Sequence, residues 1–188
     1  MEGNLAEVQR LVLKEKVHVD VKDLLGFTPL INASMNGHVE IVNFLLENNA
    51  NPNYICLKAG LVSFSALAFA VFGNYFDIAC SLLQYGADPN VCDKMGDSLL
   101  YYAAFKNNIK IVHLLLENGA DPSVPSKYNR TALSFALENS RLKNDRLNVA
   151  QCLIDSRPVC TIDTKEVPQL FSKFSFVCNR VGHHCEYD

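Results

Sequence analysis

Short blocks of apolar residues recur along the chain at helical spacing, and turn-forming residues separate them. Within a block, apolar residues lie three to five positions apart, which predicts a short amphipathic helix. Four blocks share this spacing: 41–46, 78–83, 111–116 and 149–154. Asn49, Gly86 and Gly119 follow the first three blocks, each with a proline three positions later. Such residues favour the left-handed conformation that ends a helix, and proline prevents its continuation, so each helix is predicted to end there.

The apolar blocks belong to a longer repeat. A three-residue motif that starts with Ser or Thr and has Leu in third place occurs four times, at steps of 37, 33 and 33 residues, beginning at Thr28, Ser65, Ser98 and Thr131. An alanine follows five positions after each start, as close packing between neighbouring helices requires. Gly37, Asn74 and Asn107 share one position in the repeat and tolerate a positive φ. Each unit is therefore predicted to be a helix, a tight turn, a second helix and an extended loop.

This pattern resembles the ankyrin repeat, notably in the stretches GFTPL at 26–30 and NGHVEIV at 36–42. The resemblance covers residues 1 to about 157 and implies an all-α ankyrin-repeat solenoid of helix-turn-helix units with extended finger loops. We expect a partial repeat at 1–22 and a degenerate sixth repeat or C-terminal cap at 158–188. The four repeats expected between them are 23–59 with a long finger loop, 60–92, 93–125, and 126–157 with an insertion between its helices.

One position departs from the family pattern. The histidine that usually follows the T-P-L motif, and links neighbouring units by hydrogen bonds, is replaced by Ile31, Ala68, Tyr101 and Ser134. We therefore expect the stacking of units to depend on apolar packing instead.

The resemblance also assigns a binding surface, because finger loops and first helices line the concave face that recognises partners in ankyrin arrays. In units two and three these positions are mainly apolar, and in units four and five they are mixed and basic. Loop tips cannot all be buried in a single-layer solenoid, so the apolar part predicts an interface. Alternatively, several of these side chains fold into the groove between finger and helix, or pack against a missing N-terminal part. The candidate partner-binding residues are Leu24, Leu25, Phe27, Met35, Leu61, Val62, Phe64, Phe72, Lys94, Met95, Phe105, Lys106, Tyr128 and Arg130.

Composition excludes several classes of function. The 17 basic against 20 acidic residues give a net charge of -3, which lacks the positive excess that nucleic-acid binding demands. The uncharged stretch from Ala59 to Phe76 is cut by the repeat register into a loop and a helix, so we expect no membrane insertion. Seven cysteines without a CxxC pair, and a charged N-terminus, indicate a reduced protein in the cytoplasm or elsewhere inside the cell, the nucleus included.

Candidate chemistry is sparse. No phosphate-binding loop, dinucleotide fingerprint, zinc-protease motif or nucleophile elbow occurs in the sequence. Cys178, His183, His184 and Cys185 form a cluster that could bind zinc or activate a thiol, but its spacing differs from that of common zinc modules, so metal binding there stays open. Cys80 and Cys152 are expected to be small core residues. We therefore expect no catalytic residue, no metal and no cofactor.

The resulting hypothesis is a non-enzymatic, monomeric protein-interaction module. It would bind a peptide or protein partner whose apolar side chains dock on units two and three and whose acidic residues meet Lys94, Lys106, Lys127 and Arg130. The alternative is the ankyrin portion of a larger enzyme, effector or toxin, which would position a catalytic domain outside this chain. The chain begins at the inter-helix turn of its first unit, so we expect either a fragment of a longer protein or an array with a dedicated terminal cap.

Overall fold

The computed structural model describes residues 3–56, 65–140 and 146–156, with the side chains of 138–140 and 146–147 excepted. The chain divides into two compact units, Met1–Ser156 and Arg157–Asp188, and all described residues lie in the first. The expected terminal cap at 158–188, with its cluster of Cys and His residues, lies outside the described residues.

The described part of the chain is a stack of helix pairs. Helix α1 spans Leu5–Gln9 and continues as a π-helical turn at Arg10–Lys14. The first helices of the pairs are α2 Pro29–Met35, α4 Ala66–Gly73, α6 Leu99–Phe105 and α8 Ala132–Ser140. The second helices are α3 Val39–Glu47, α5 Phe76–Gln84, α7 Ile109–Glu117 and α9 Arg146–Asp155. Each first helix packs on the next first helix, and the second helices form a row of their own.

The predicted fold class is confirmed. Within the described ranges, the regular elements are helices, and β-type pairing is limited to isolated bridges, at Cys56 and between Cys92 and Ser98, so the array is all-α. No helix in these ranges is long and apolar enough to cross a membrane.

A hydroxyl side chain begins each first helix. The side-chain oxygens of Thr28, Ser65 and Ser98 each accept a hydrogen bond from the backbone N–H three residues later, at 3.3, 3.1 and 3.1 Å. Thr131 and Ser134 cap each other reciprocally, at 3.1 and 3.0 Å. These bonds satisfy N–H groups that the first turn of a helix leaves unpaired. The repeated motif therefore marks the helix N-caps as well as the register.

The predicted left-handed turns are confirmed. Between the helices of a pair, Gly37, Asn74 and Asn107 have φ angles of 76°, 61° and 55°. After the second helices, Asn49, Gly86 and Gly119 have φ angles of 66°, 82° and 85°. At Gly37 a side chain would also lack space, because an added Cβ would lie 2.9 Å from the ring of Tyr75.

Small residues allow the first helices to approach closely. The alanines five positions into each unit are at most 4% exposed, as the spacing predicted: Ala33, Ala70, Ala103 and Ala136. The replacements of the family histidine are also buried at three positions: Ile31, Ala68 and Tyr101. Apolar packing therefore fills these positions.

Asparagine side chains link neighbouring units as well. The Nδ2 of Asn53 donates to the Gly86 carbonyl at 2.8 Å, and its Oδ1 accepts from the Asp88 N–H at 2.8 Å. Asn90 makes the same two bonds one unit later, at 3.1 and 2.8 Å. These loop bonds therefore add polar contacts between units beside the expected apolar packing.

Candidate interaction surface

Three of the described loops form hairpins in front of the first helices, at 23–27, 93–97 and 126–130. In each, the N–H of the first residue donates to the carbonyl of the fifth, at 3.0, 3.1 and 2.9 Å. The side-chain oxygen of the first residue, which is Asp23, Asp93 or Ser126, accepts from the N–H groups of the third and fifth residues. These bonds fix the loop tips. We define the finger face as the set of side chains on these hairpins and on the first helices that are not buried.

In unit two, three of the four candidates lie on the finger face. Leu24 is 100% exposed, and Leu25 and Met35 are also exposed. Phe27 is only 8% exposed and packs edge-on against Phe69, with ring centroids 6.1 Å apart. Phe27 is therefore a core residue, which corrects its expected exposure, and it is left out of the surface considered below.

In unit three, the candidates Leu61, Val62 and Phe64 lie outside the described residues. Phe72 is half-buried, and its ring lies edge-on to the ring of Tyr102 at 4.7 Å. Part of this aromatic side chain therefore supports the contact between α4 and α6.

An aromatic row runs along the first helices from α4 to α8. Tyr102 contacts Tyr101 at 5.8 Å, Tyr101 contacts Phe135 at 5.2 Å, and Phe135 contacts Phe105 at 5.4 Å between ring centroids. Phe105, at the open end of this row, is 50% exposed. The candidate set lacked Tyr101, Tyr102 and Phe135. Tyr101 at the family histidine position, followed by Tyr102, was the sequence signal for the two tyrosines.

The basic candidates of units four and five differ in their exposure and contacts. Lys94 and Lys106 are exposed, and Met95 is half-buried. The carbonyl of Met95 accepts a 2.8 Å hydrogen bond from the N–H of Lys127, which joins the hairpins of units four and five. Tyr128, at the tip of the second hairpin, is 64% exposed. The structure therefore brings apolar and cationic side chains together in units four and five.

Arg130 is held between two aromatic rings. Its guanidinium carbon lies 5.4 Å from the ring centroid of Tyr101 and 5.5 Å from that of Tyr128. Among the described residues, the buried Nε atom of Arg130 has no hydrogen-bond partner. Asp97, in the neighbouring hairpin, is 9% exposed, and its Oδ1 likewise has no hydrogen-bond partner within the described ranges. Burial, and after it the Asp93 carboxylate, raise the pKa of Asp97, while Arg130 and the Ser126 hydroxyl oppose that shift.

A tyrosine fixes the unit-four hairpin to its helix. The hydroxyl of Tyr102 donates to Oδ2 of Asp93 at 2.7 Å. Burial, followed by this hydrogen bond, raises the pKa of Tyr102 well above its ordinary value of about 10, so the hydroxyl remains a donor at neutral pH. The hairpin at 93–97 is consequently anchored to α6.

The burial of the described cysteines differs in part from the expected burial. Cys80 and Cys152 are half-buried rather than fully buried, and Cys152 packs against the core. The Sγ of Cys152 lies 3.5 Å from both ring nitrogens of His113. Burial is the largest cause raising the pKa of both thiols, which keeps them protonated at neutral pH. In the ranges that the structure describes, no three His, Cys, Asp or Glu side chains converge as a metal site.

Comparison with known sequences agrees with the architecture. A profile described as ankyrin repeats in three copies matches residues 67–165, slightly more than half of the chain. A second profile, described as ankyrin repeats in many copies, matches residues 1–46.

Curated relatives carry similar segments within much longer chains. The human ankyrin repeat and SOCS box protein 3 is 37% identical over 89 residues, which is 47% of this chain and 17% of the relative. The inactive serine/threonine-protein kinase TEX14 of Bos taurus is 35% identical over 95 residues, which is 50% of this chain and 6% of the relative. The palmitoyltransferase AKR1 of Lachancea kluyveri is 28% identical over 102 residues, which is 53% of this chain and 13% of the relative. The chain thus spans less than a fifth of the length of each of these relatives.

Proposed function

The chain belongs to the ankyrin repeat family, and from that premise we propose that its finger face binds a peptide segment of a protein partner without catalysing a reaction. Ankyrin repeats are generally protein–protein interaction modules and are typically non-catalytic. The proposal adds to this general role a particular surface and a particular partner chemistry.

The exposure of rigid aromatic side chains is the observation that carries the proposal. Phe105 and Tyr128 are 50% and 64% exposed although both lie beside a packed aromatic row. Large aromatic side chains lose little conformational entropy on docking and are enriched among residues that dominate binding energy. Solubility alone would favour polar side chains at these positions, so a partner that covers them is the simplest physical reason for their presence.

Preorganisation of the loops supports the same assignment. The side-chain oxygens of Asp93 and Ser126 each hold two backbone N–H groups of their hairpins, and the Lys127 N–H joins the two hairpins. A surface that is already ordered loses less conformational freedom when it binds. The tips therefore present their side chains at little entropic cost.

Charge favours an acidic segment in the partner. Lys94, Lys106 and Lys127 are exposed in units four and five, and the last two adjoin Phe105 and Tyr128 along the chain. Rim charges of this kind steer the encounter between partners more than they hold the complex together. We therefore infer a partner segment with bulky apolar residues and nearby Asp or Glu, with Leu24 and Leu25 extending the apolar surface at unit two.

The test begins with a random-peptide display library that is panned against the full chain. A recovered peptide is then titrated against Phe105→Ala and Tyr128→Ala variants, and binding should weaken about 5- to 150-fold, mainly through faster dissociation. Tyr85→Ala is the matched control, because Tyr85 is also a half-exposed aromatic but follows a second helix. Thermal melts of all variants establish that folding is retained.

The opposite pattern would reject the proposed surface. If Tyr85→Ala or the second-helix change Asn43→Arg abolishes binding while Phe105→Ala and Tyr128→Ala bind as the wild type does, the partner docks elsewhere. Failure of any peptide to bind the folded chain would count against the peptide-binding function itself.

A second candidate function is a targeting segment within a larger enzyme or effector. Its support is that the relatives named above carry comparable repeats as 6–17% of their length, one of them in a palmitoyltransferase. Sequencing the full transcript and weighing the endogenous protein would distinguish the two. An additional catalytic domain favours the second candidate, and a protein of 20.9 kDa contradicts it.

A further inference from the structure

Arg130 differs from the other cations of the finger face because its conformation is fixed. Its backbone closes the hairpin at 126–130 through a 2.9 Å bond from Ser126, and its N–H donates to the Ser126 hydroxyl at 3.3 Å. The guanidinium carbon lies 5.4 Å from the ring centroid of the buried Tyr101 and 5.5 Å from that of Tyr128. Tyr101 is itself held by Phe135 at 5.2 Å. The guanidinium is therefore positioned before any partner arrives.

The hydrogen-bonding capacity of this guanidinium is unused. Within the part of the chain that the structure describes, its nitrogens form no ion pair and no side-chain hydrogen bond, and Nε is buried. Asp97 lies close enough to affect it electrostatically but does not hydrogen-bond to it. A partly desolvated cation with free N–H groups interacts more strongly with an anion than a fully hydrated lysine does.

We propose that Arg130 is the residue by which the finger face selects an acidic partner residue, with its terminal N–H groups binding one Asp or Glu carboxylate as a bidentate pair. This inference rests on the proposed peptide-binding function and specifies it further. The planar fork of a guanidinium matches the two oxygens of a carboxylate, whereas a lysine acts as a point charge. The residue next to the acid would lie on the exposed ring of Tyr128, which is beside the guanidinium.

A carboxylate fits this environment better than a phosphate does. Asp97 and Asp93 place two carboxylates in the same pair of hairpins, and Asp97 is desolvated. A phosphorylated side chain carries between one and two negative charges more than its neutral parent, and both acids would repel it. A carboxylate carries a single charge, so the repulsion is smaller.

The test compares selections from one random-peptide display library on four full-length proteins: wild type, Arg130→Gln, Arg130→Lys and Lys110→Gln. Wild type and Lys110→Gln should recover peptides enriched in Asp or Glu beside a bulky apolar residue. Arg130→Gln should lose the acidic enrichment and retain the apolar preference. Arg130→Lys should recover the acidic enrichment only in part, because it restores the charge without the fork. Lys110→Gln is the matched control, since it removes one exposed charge from the second helix α7, outside the finger face.

A double-mutant cycle then isolates the contact from any effect on folding. A recovered acidic peptide and its version with Gln in place of Glu are titrated against wild type and Arg130→Gln. The two changes should be coupled by at least about fivefold in Kd, whereas the Lys110→Gln change should show coupling below twofold. Any loss of stability in Arg130→Gln affects both peptides equally and cancels in the cycle.

The outcomes separate this inference from the proposed function. Peptides that bind wild type but show unchanged acidic enrichment on Arg130→Gln, or no coupling in the cycle, would overturn the inference alone. A phosphoserine peptide that binds through Arg130 more tightly than the Glu peptide would replace carboxylate recognition by phosphate recognition. Recovery of no peptide by any of the four folded proteins would reject the inference together with the binding function.

Discussion

Replacing Asn90 by alanine should weaken the coupling between two neighbouring units. The change removes two hydrogen bonds between units, the 3.1 Å bond to the Gly119 carbonyl and the 2.8 Å bond from the Asp121 N–H. A net hydrogen bond contributes about 0.5–1.5 kcal/mol, and the exposure of Asn90 places both bonds in the lower part of that range. We therefore expect a loss of about 1–2 kcal/mol in the free energy of unfolding. For a domain of this size, that loss corresponds to a Tm lowered by roughly 2–8 °C.

Urea denaturation followed by circular dichroism measures this loss, and Asn118→Ala is its control. Asn118 is also exposed, but its side chain donates one 2.8 Å bond to Leu114 inside its own helix. Asn118→Ala should therefore cost about half as much. Asn53→Ala breaks the equivalent pair of bonds one unit earlier, and its cost should add to that of Asn90→Ala. If Asn90→Ala costs no more than Asn118→Ala, the inter-unit asparagine bonds do not stabilise the stack.

Three further predictions concern packing, charge and thiols. Ala103→Leu should lower the free energy of unfolding by about 1–3 kcal/mol through overpacking between first helices, and an unchanged Tm would show that the helices do not meet there. Because burial raises the pKa of Asp97, the folded state binds its proton more tightly than the unfolded chain, and stability is lost as the pH rises through the folded pKa. The free energy of unfolding of Asp97→Asn, measured by urea denaturation, should therefore increase relative to that of wild type as the pH rises from about 4 to 7. A difference between the two proteins that does not depend on pH would contradict this. Alkylation followed by mass spectrometry should modify Cys80 and Cys152 before the buried Cys56, and equal labelling of all three would show that Cys56 is accessible.

The repeat architecture could be predicted because it follows from local steric requirements. Only a few residue types tolerate a positive φ, so Gly37, Asn74 and Asn107 marked the inter-helix turns by identity alone. The same holds for the alanines between first helices, where a larger side chain has no room. Recurrence at 33-residue steps then excluded chance agreement at any one position.

The finger face was harder to predict, because residues of one hairpin point in different directions. Leu24 and Leu25, at the second and third positions, are exposed, whereas the fifth position is buried or half-buried in all three described hairpins, as Phe27, Asp97 and Arg130. The fifth residue bonds to the first and leads directly into the helix, so its side chain packs against neighbouring units. Spacing in the sequence identifies hairpin positions but not this orientation.

The aromatic row depends on contacts between units, which the sequence does not specify. Tyr101 and Phe135 lie 34 residues apart in neighbouring units, and the packing of α6 on α8 brings their rings to 5.2 Å. The Asn53 and Asn90 bonds went unpredicted for a related reason. Both residues occupied recognisable turns, and their partners lie one unit further along the chain.

Hydrogen–deuterium exchange of the full chain, with and without a display-selected peptide, tests the proposed binding surface most directly. If the peptide lies on the finger face, it should slow exchange in the hairpins 93–97 and 126–130 and in α6, and leave α5 and α7 unchanged. Protection confined to the second helices α3, α5 and α7, with the hairpins exchanging as in the free chain, would contradict the account.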